Sequence, residues 1–153
     1  MDKNNAYEEQ DNSKMLEKKK YLTISIDDEI YGIKIEHVND INRIQDITEV
    51  PHQQSYLMGI INLRGQIIPV IDIRKRFEKE VILYDDRTCI IVINYEGDNV
   101  GLIVDRVEEV LAIPEILLKQ SESGEQKSKF IKGIIKFDNQ IITLLDIERI
   151  LFD

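Results

Sequence analysis

Apolar residues along this chain come in short runs broken by turn residues. The stretch Gly59 to Phe77, GIINLRGQIIPVIDIRKRF, shows the pattern most fully. Its runs Ile60–Leu63 and Ile67–Ile73 flank Arg64-Gly65-Gln66. Gly65 accepts a positive φ without steric cost, so the spacing predicts a β-hairpin. Asp72 stands where an N-cap would open a helical turn carrying Arg74, Lys75 and Arg76. The pattern returns 74 residues later in Gly133 to Leu151, GIIKFDNQIITLLDIERIL, without gaps and with eight of nineteen positions identical. Gly59 matches Gly133, Gln66 matches Gln140 and Asp72 matches Asp146. Asn139, which also tolerates positive φ, replaces Gly65. An internal repeat constrains the fold before any single element does.

The rest of each copy follows one scheme. Tyr21–Ile26 and Ile30–Ile35 predict two strands, with Asp27-Asp28-Glu29 as their turn. In the second copy Ile90–Asn94 matches Leu22–Ile26, Val100-Gly101-Leu102 matches Tyr31-Gly32-Ile33, and Val107 matches Val38. Glu96-Gly97-Asp98-Asn99 is a strong turn signal. Glu36 to Ile44 spaces Val38, Ile41 and Ile44 by three, which suits a helix face or a bulged strand. The β-branched counterpart VGLIVDRVEEVLAI favours the strand. Pro51 to Leu57 is expected to form a helical turn, Glu78 to Arg87 a charged link and Lys119 to Lys129 a mobile polar loop. Residues 1–18 are polar and aperiodic and are expected to be a disordered tail, with a weak helical tendency around Lys14–Lys20. Five short strands per half bury too little alone, so the expected architecture is mainly β: two small barrels sharing a seam.

Composition changes this picture little. The chain has 153 residues, near the size of one domain, and is 42% hydrophobic. A net charge of −9 argues against nucleic acid as a partner. No apolar signal region or run of membrane-spanning length appears, so no direct membrane insertion is expected and a cytoplasmic protein is the default. The one cysteine, Cys89, lies in the apolar run Cys89–Ile93 and reads as a buried core thiol.

Catalytic chemistry finds no foothold. His37 and His52 are fifteen residues apart with no nucleophile or carboxylate arranged around them. His37 is expected on an exposed strand edge and His52 in a loop. No phosphate-cradling glycine loop and no zinc-holding cysteine pair occur. The acids Asp27, Asp28 and Glu29 read as a solvated turn, since no further ligands accompany them. No metal, cofactor or enzymatic activity is therefore expected, and a binding surface remains. Here the repeat is an internal control, because a residue the fold requires should appear in both copies. Asp72 and Asp146 do. Arg64 faces Asp138, so the hairpin does not need arginine. Pro69 faces Thr143, and its missing donor predicts an edge or interrupted strand.

The run Asn62-Leu63-Arg64-Gly65, followed by Pro69-Val70-Ile71-Asp72-Ile73-Arg74, resembles the CheW-type chemotaxis coupling proteins. Tyr31-Gly32-Ile33 with Val38 and Ile41, and Val100-Gly101 with Asp105 and Val110, fit the same family. The resemblance covers about Lys19 to Phe152. It implies one domain over 19–153, built of two intertwined SH3-like five-stranded β-barrel subdomains with short helical turns, roughly 21–77 and 88–151. It also implies a non-catalytic adaptor coupling chemoreceptor cytoplasmic tips to the regulatory domain of the chemotaxis histidine kinase, with related adaptors joining in array rings. By that resemblance Arg64, Val38, Ile35, Val104, Val107 and Val110 would meet the receptor, the aliphatic members lining a groove between subdomains. Asp40, Ile41 and Gly59 would lie at the kinase contact. At Asp40 the family commonly carries glutamate, a difference in reach. Two other readings stand beside this one. A related adaptor type carries a receiver domain, but no receiver-like βα pattern occurs here. A small enzyme would need carboxylates or a ligand at the seam.

Overall fold

The computed structural model describes residues 17–51, 54–121 and 128–153. The first hairpin pairs β1 (Lys18–Ile26) with β2 (Glu29–Lys34). A 3-10 turn at Ile35–His37 leads into β3 (Val38–Arg43), then β4 (Leu57–Leu63), β5 (Gln66–Asp72) and the one-turn helix α1 (Ile73–Arg76). The second copy repeats the order: β6 (Cys89–Tyr95), β7 (Asp98–Val104), β8 (Arg106–Pro114), a short α2 (Glu115–Lys119), β9 (Ile131–Phe137), β10 (Gln140–Leu145) and α3 (Ile147–Phe152).

Turn chemistry and caps are local and follow the residues. Arg64 and Gly65 have φ of 52° and 85°, and Asp138 and Asn139 have 55° and 59°, as two-residue hairpins require. Asp72 accepts from the Arg74 amide at 2.8 Å and Asp146 from the Arg149 amide at 3.2 Å, so both are N-caps. β3 carries a bulge between Val38 and Asp40.

The strands form two five-stranded sheets, in the orders β8-β1-β2-β10-β9 and β3-β6-β7-β5-β4. Each sheet takes a hairpin from one copy of the repeat and three strands from the other. The subdomains therefore do not run over 21–77 and 88–151: the hairpins β1–β2 and β6–β7 are exchanged between them. Replacing each strand of one order by its repeat partner gives the other order, so the exchange is mutual. The pairing also corrects the alignment of the first strands. Thr23 pairs with Gly32 and Val92 with Gly101, which makes Thr23 equivalent to Val92 and sets the offset at 69. Leu22–Ile26 then matches Ile91–Tyr95 rather than Ile90–Asn94. The slip matters, because one residue moves a side chain to the other face.

Exchange explains why β1 and β6 are buried on both faces and why β6 is apolar on both. Ile91 and Ile93 pack in a central cluster with Leu22, Ile24, Ile71, Ile73, Leu102 and Leu145, drawn from both sheets. Ile90 and Val92 point the other way, into a cluster with Ile61, Ile68 and Val70 inside one sheet. Tyr21, Leu111, Ile113 and Ile142 form the corresponding interior of the other sheet. A strand buried on both faces reads as a continuous hydrophobic run.

Several expectations change. Lys18–Lys20 are strand, not helix, and the tail before residue 17 lies outside the described residues, as does His52. The described part of Pro51–Leu57 holds turns, and Leu57 already belongs to β4. Much of Lys119–Lys129 also lies outside the described residues. Cys89 is half-buried and its thiol donates to the Arg87 carbonyl at 3.3 Å. His37 sits half-buried in the 3-10 turn, its ring 5.4 Å from that of Tyr95. Pro69 is in an inner strand. The parallel ladder between β5 and β7 starts only at Val70, so the missing donor falls where that pairing has not begun.

Candidate functional site

The aliphatic residues nominated for a groove separate into three kinds. Ile35, Val38 and Val107 are half-buried and pack on the central cluster where the two sheets meet. They come from the 3-10 turn, β3 and β8, which all pack on that cluster. Val104 belongs to that cluster but is 1% exposed, so it supports the floor from beneath and offers no surface. Val110 is 51% exposed, lies farther along β8 opposite Leu22, and does not join the cluster. The groove is thus narrower than the sequence pattern implied.

The polar residues nominated for the two partners meet each other. Arg64, at the tip of the β4–β5 hairpin, has its Nη2 3.1 Å from Asp40 Oδ2 on β3. This is an ion pair without hydrogen-bond alignment. Asp40 Oδ1 accepts from the Ile41 amide at 2.9 Å. The Arg64 side chain is 77% exposed, so the pair adds little stability. Its counterparts in the second copy, Asp138 and Glu109, are both acidic, so the fold does not depend on it. Beside it Ile41 is 43% exposed on an outer strand. Asp40 Oδ2 and Asn42 Nδ2, on one face of β3, are buried without a hydrogen-bond partner among the described residues.

Gly59 is a different case. It is buried at a φ of +143°, and a Cβ there would lie 2.1 Å from the Thr48 carbonyl oxygen. Thr48 and Ile60 exchange two backbone hydrogen bonds at 2.9 Å, which join the segment after β3 to β4 and draw the outer strands of this sheet together. Gly59 makes that approach possible and is itself buried.

Sequence reasoning missed one polar cluster. Arg74 is buried, and its guanidinium donates to Asp105 Oδ1 at 2.8 Å, to the Glu80 carbonyl at 3.1 Å and to Asp27. The Asp27 amide donates to Asp105 Oδ2 at 2.9 Å. Asp27 is at the turn of the exchanged β1–β2 hairpin, Arg74 is on α1 after β5 of the other sheet, and Asp105 joins β7 of that sheet to β8, so the cluster ties the exchanged hairpin to the other sheet. Hydrogen bonds that Arg74 donates to Asp105 push the Arg74 pKa up. Burial raises the Asp105 carboxyl, but hydrogen bonds from Arg74 and the Asp27 amide outweigh it and the net shift is downward. Asp27, expected to be solvated, is a partner in this network. Its only sequence signal was a buried-strand hairpin whose turn is acidic; Arg74 and Asp105 are too distant in sequence to pair by inspection.

Among the described residues no group of three or more His, Cys, Asp or Glu side chains is placed to hold a metal. No helix among them is long and apolar enough to cross a membrane.

The model of the CheW-like domain matches residues 20–153. The chain is 34% identical over 134 residues to the chemotaxis protein CheW of Bacillus subtilis, covering 86% of each sequence. It is 34% identical over 132 residues to that of Thermotoga maritima, covering 85% of each. Among solved structures it superposes on the scaffolding protein TtCheW from Thermoanaerobacter tengcongensis with a TM-score of 0.80 at 34% identity, covering 89% of this chain and 94% of that one.

Proposed function

This chain belongs to the CheW family of chemotaxis coupling proteins, non-catalytic scaffolds of chemotaxis signalling complexes, and on that premise we propose how its surfaces divide the work. The half-buried floor of Ile35, Val38 and Val107 takes one apolar face of a chemoreceptor's cytoplasmic helical hairpin tip. The Arg64–Asp40 corner, with exposed Ile41, takes the regulatory domain of the chemotaxis histidine kinase or the flank of the receptor tip. Arginine suits such a corner because its planar fork pairs bidentately and stacks. Related adaptors joining through the same surfaces would extend an array. The association with membrane-anchored receptors runs through these partners.

The observation that carries this division is the Arg64–Asp40 pair. Its arginine is exposed, the pair occurs in one copy of the repeat only, and it adjoins Asn42 Nδ2, which is buried without a hydrogen-bond partner among the described residues. A surface feature the fold does not need is a candidate for recognition. A standard interface buries about 800 Å² per partner, within reach of a domain this size. The test is co-sedimentation of this protein with a receptor cytoplasmic fragment and the kinase, followed by kinase activity. Receptor-dependent kinase activity that is lost in Arg64→Asp supports the assignment. Wild-type levels of both in that variant would remove Arg64 from the contact.

A further inference from the structure

One cavity of about 470 Å³ opens on the sheet β8-β1-β2-β10-β9, beside α2. Five lysines line it: Lys19 and Lys20 on β1, Lys34 at the end of β2, Lys119 on α2 and Lys132 on β9. Among the described residues only two acids, Glu36 and Glu115, face them there. None of the five lysines forms an ion pair among the described residues. In a chain of net charge −9 this is a local reversal of sign. The floor is apolar, formed by Tyr21, Ile35, Leu118 and Leu144.

The repeat again supplies the control. At the structural offsets, Lys19, Lys20, Lys34 and Lys132 correspond to Thr88, Cys89, Ile103 and Met58. None of these is basic, so the same fold is built without the charges. Like charges gathered around one opening repel and favour an anion entering it.

A second cavity, of about 600 Å³, contains Lys75, Arg76, Lys79 and Lys129 and differs in kind. Three of these four cations are already engaged. Arg76 lies 4.1 Å over the Tyr56 ring and donates to the Ile150 carbonyl, Lys79 approaches Asp27, and Lys129 sits over Phe130. The first cavity keeps its cations for something else.

We propose that the lysine-lined cavity is a docking site for an acidic segment of a partner protein: aspartates or glutamates flanking one aliphatic or aromatic anchor. The anchor fills the floor over Leu118 and Leu144, and the carboxylates reach the lysines around the rim. Two features favour a peptide over a free phosphate or nucleotide. The lysines are spread over four elements rather than converging, and no glycine-rich loop presents amides to a phosphate. This surface adjoins the seam at Ile35, which lines both, and is separate from the Arg64 corner; its test needs neither receptor nor kinase.

The experiment is fluorescence anisotropy with the full chain and a labelled short peptide alternating Glu-Glu-Leu. Wild type is expected to bind, with affinity falling as salt rises. Lys34→Glu with Lys132→Glu should weaken binding by about tenfold or more, and the milder Lys34→Gln with Lys132→Gln by less. Lys136→Glu, an exposed lysine of β9 outside the cavity, should leave it unchanged. Thermal melts confirm that each variant is folded. No wild-type binding, equal binding by the reversed variant, or an equal loss in Lys136→Glu would overturn the proposal. Displacement of the peptide by equimolar ATP would also overturn it, assigning the cavity to phosphates.

Discussion

Replacing Gly59 by alanine separates fold from recognition at a residue that the family resemblance places at the kinase contact. The backbone there has a φ of +143°, where side chains are rarely found, and adopting it costs alanine about 1–3 kcal/mol. The new Cβ would stand 2.1 Å from the Thr48 carbonyl oxygen, a clash only backbone movement relieves. Movement breaks the two Thr48–Ile60 hydrogen bonds, each contributing about 1 kcal/mol net. The expected loss is therefore about 3–5 kcal/mol, which at this chain length lowers Tm by about 6–20 °C. Urea denaturation and a thermal melt measure it directly. Any loss of kinase coupling in Gly59→Ala should then disappear when cold, stabilised protein is assayed at a concentration where it is fully folded. A variant that melts within about 2 °C of wild type yet fails to couple would refute this reasoning and make Gly59 a contact residue.

Three further outcomes are expected. Arg64→Asp copies the second hairpin and places an aspartate, which tolerates positive φ, at the tip; stability should change by under about 1 kcal/mol in denaturant melts while receptor-dependent kinase activity falls. Asp72→Ala should cost more than Asp146→Ala by denaturant titration: both lose a cap worth about 1 kcal/mol, but Asp72 is buried and also accepts from the Tyr84 hydroxyl at 2.6 Å, adding about 1.5–3 kcal/mol. Burial, followed by that hydrogen bond, holds the Tyr84 pKa above its ordinary value. The Asp105 carboxyl is held below its ordinary 3.8 by Arg74, so its contribution to stability is complete above that value and is lost as the pH falls through and below it. Asp105→Asn should accordingly flatten the acid limb of a stability–pH curve below about pH 4, and an unchanged limb would mean that the Arg74 cluster is not protonation-linked.

Much of this protein was legible from residues alone because it is written locally. The turn at Arg64-Gly65 and its counterpart at Asp138-Asn139 depend on which residues accept a left-handed backbone, and the caps Asp72 and Asp146 depend on a side chain reaching an amide two or three positions on. The bulge at Val38–Asp40 followed from a change of phase in the apolar pattern. The repeat itself, and the family it points to, needed only the order of residues.

What tertiary structure alone decided is which strand lies beside which. Hairpins β1–β2 and β6–β7 have the same alternation whether they pair within their own copy or across to the other, so no local pattern reveals the exchange. β6 is apolar on both faces, which allowed an offset of 68 or 69 until the pairing of Thr23 with Gly32 and Val92 with Gly101 chose the second. The same limit applied to the nominated surface. Aliphatic residues at strand spacing look alike in sequence, but Val104 is sealed in the core, Val110 stands apart, and Ile35, Val38 and Val107 pack half-buried on the central cluster. Arg74, Asp27 and Asp105 become one network only because the exchanged hairpin carries Asp27 to the opposite sheet. Residue types set the local conformations, whose energies depend on near neighbours; burial and charge pairing depend on distant ones, and those are chosen by the packing of the whole chain.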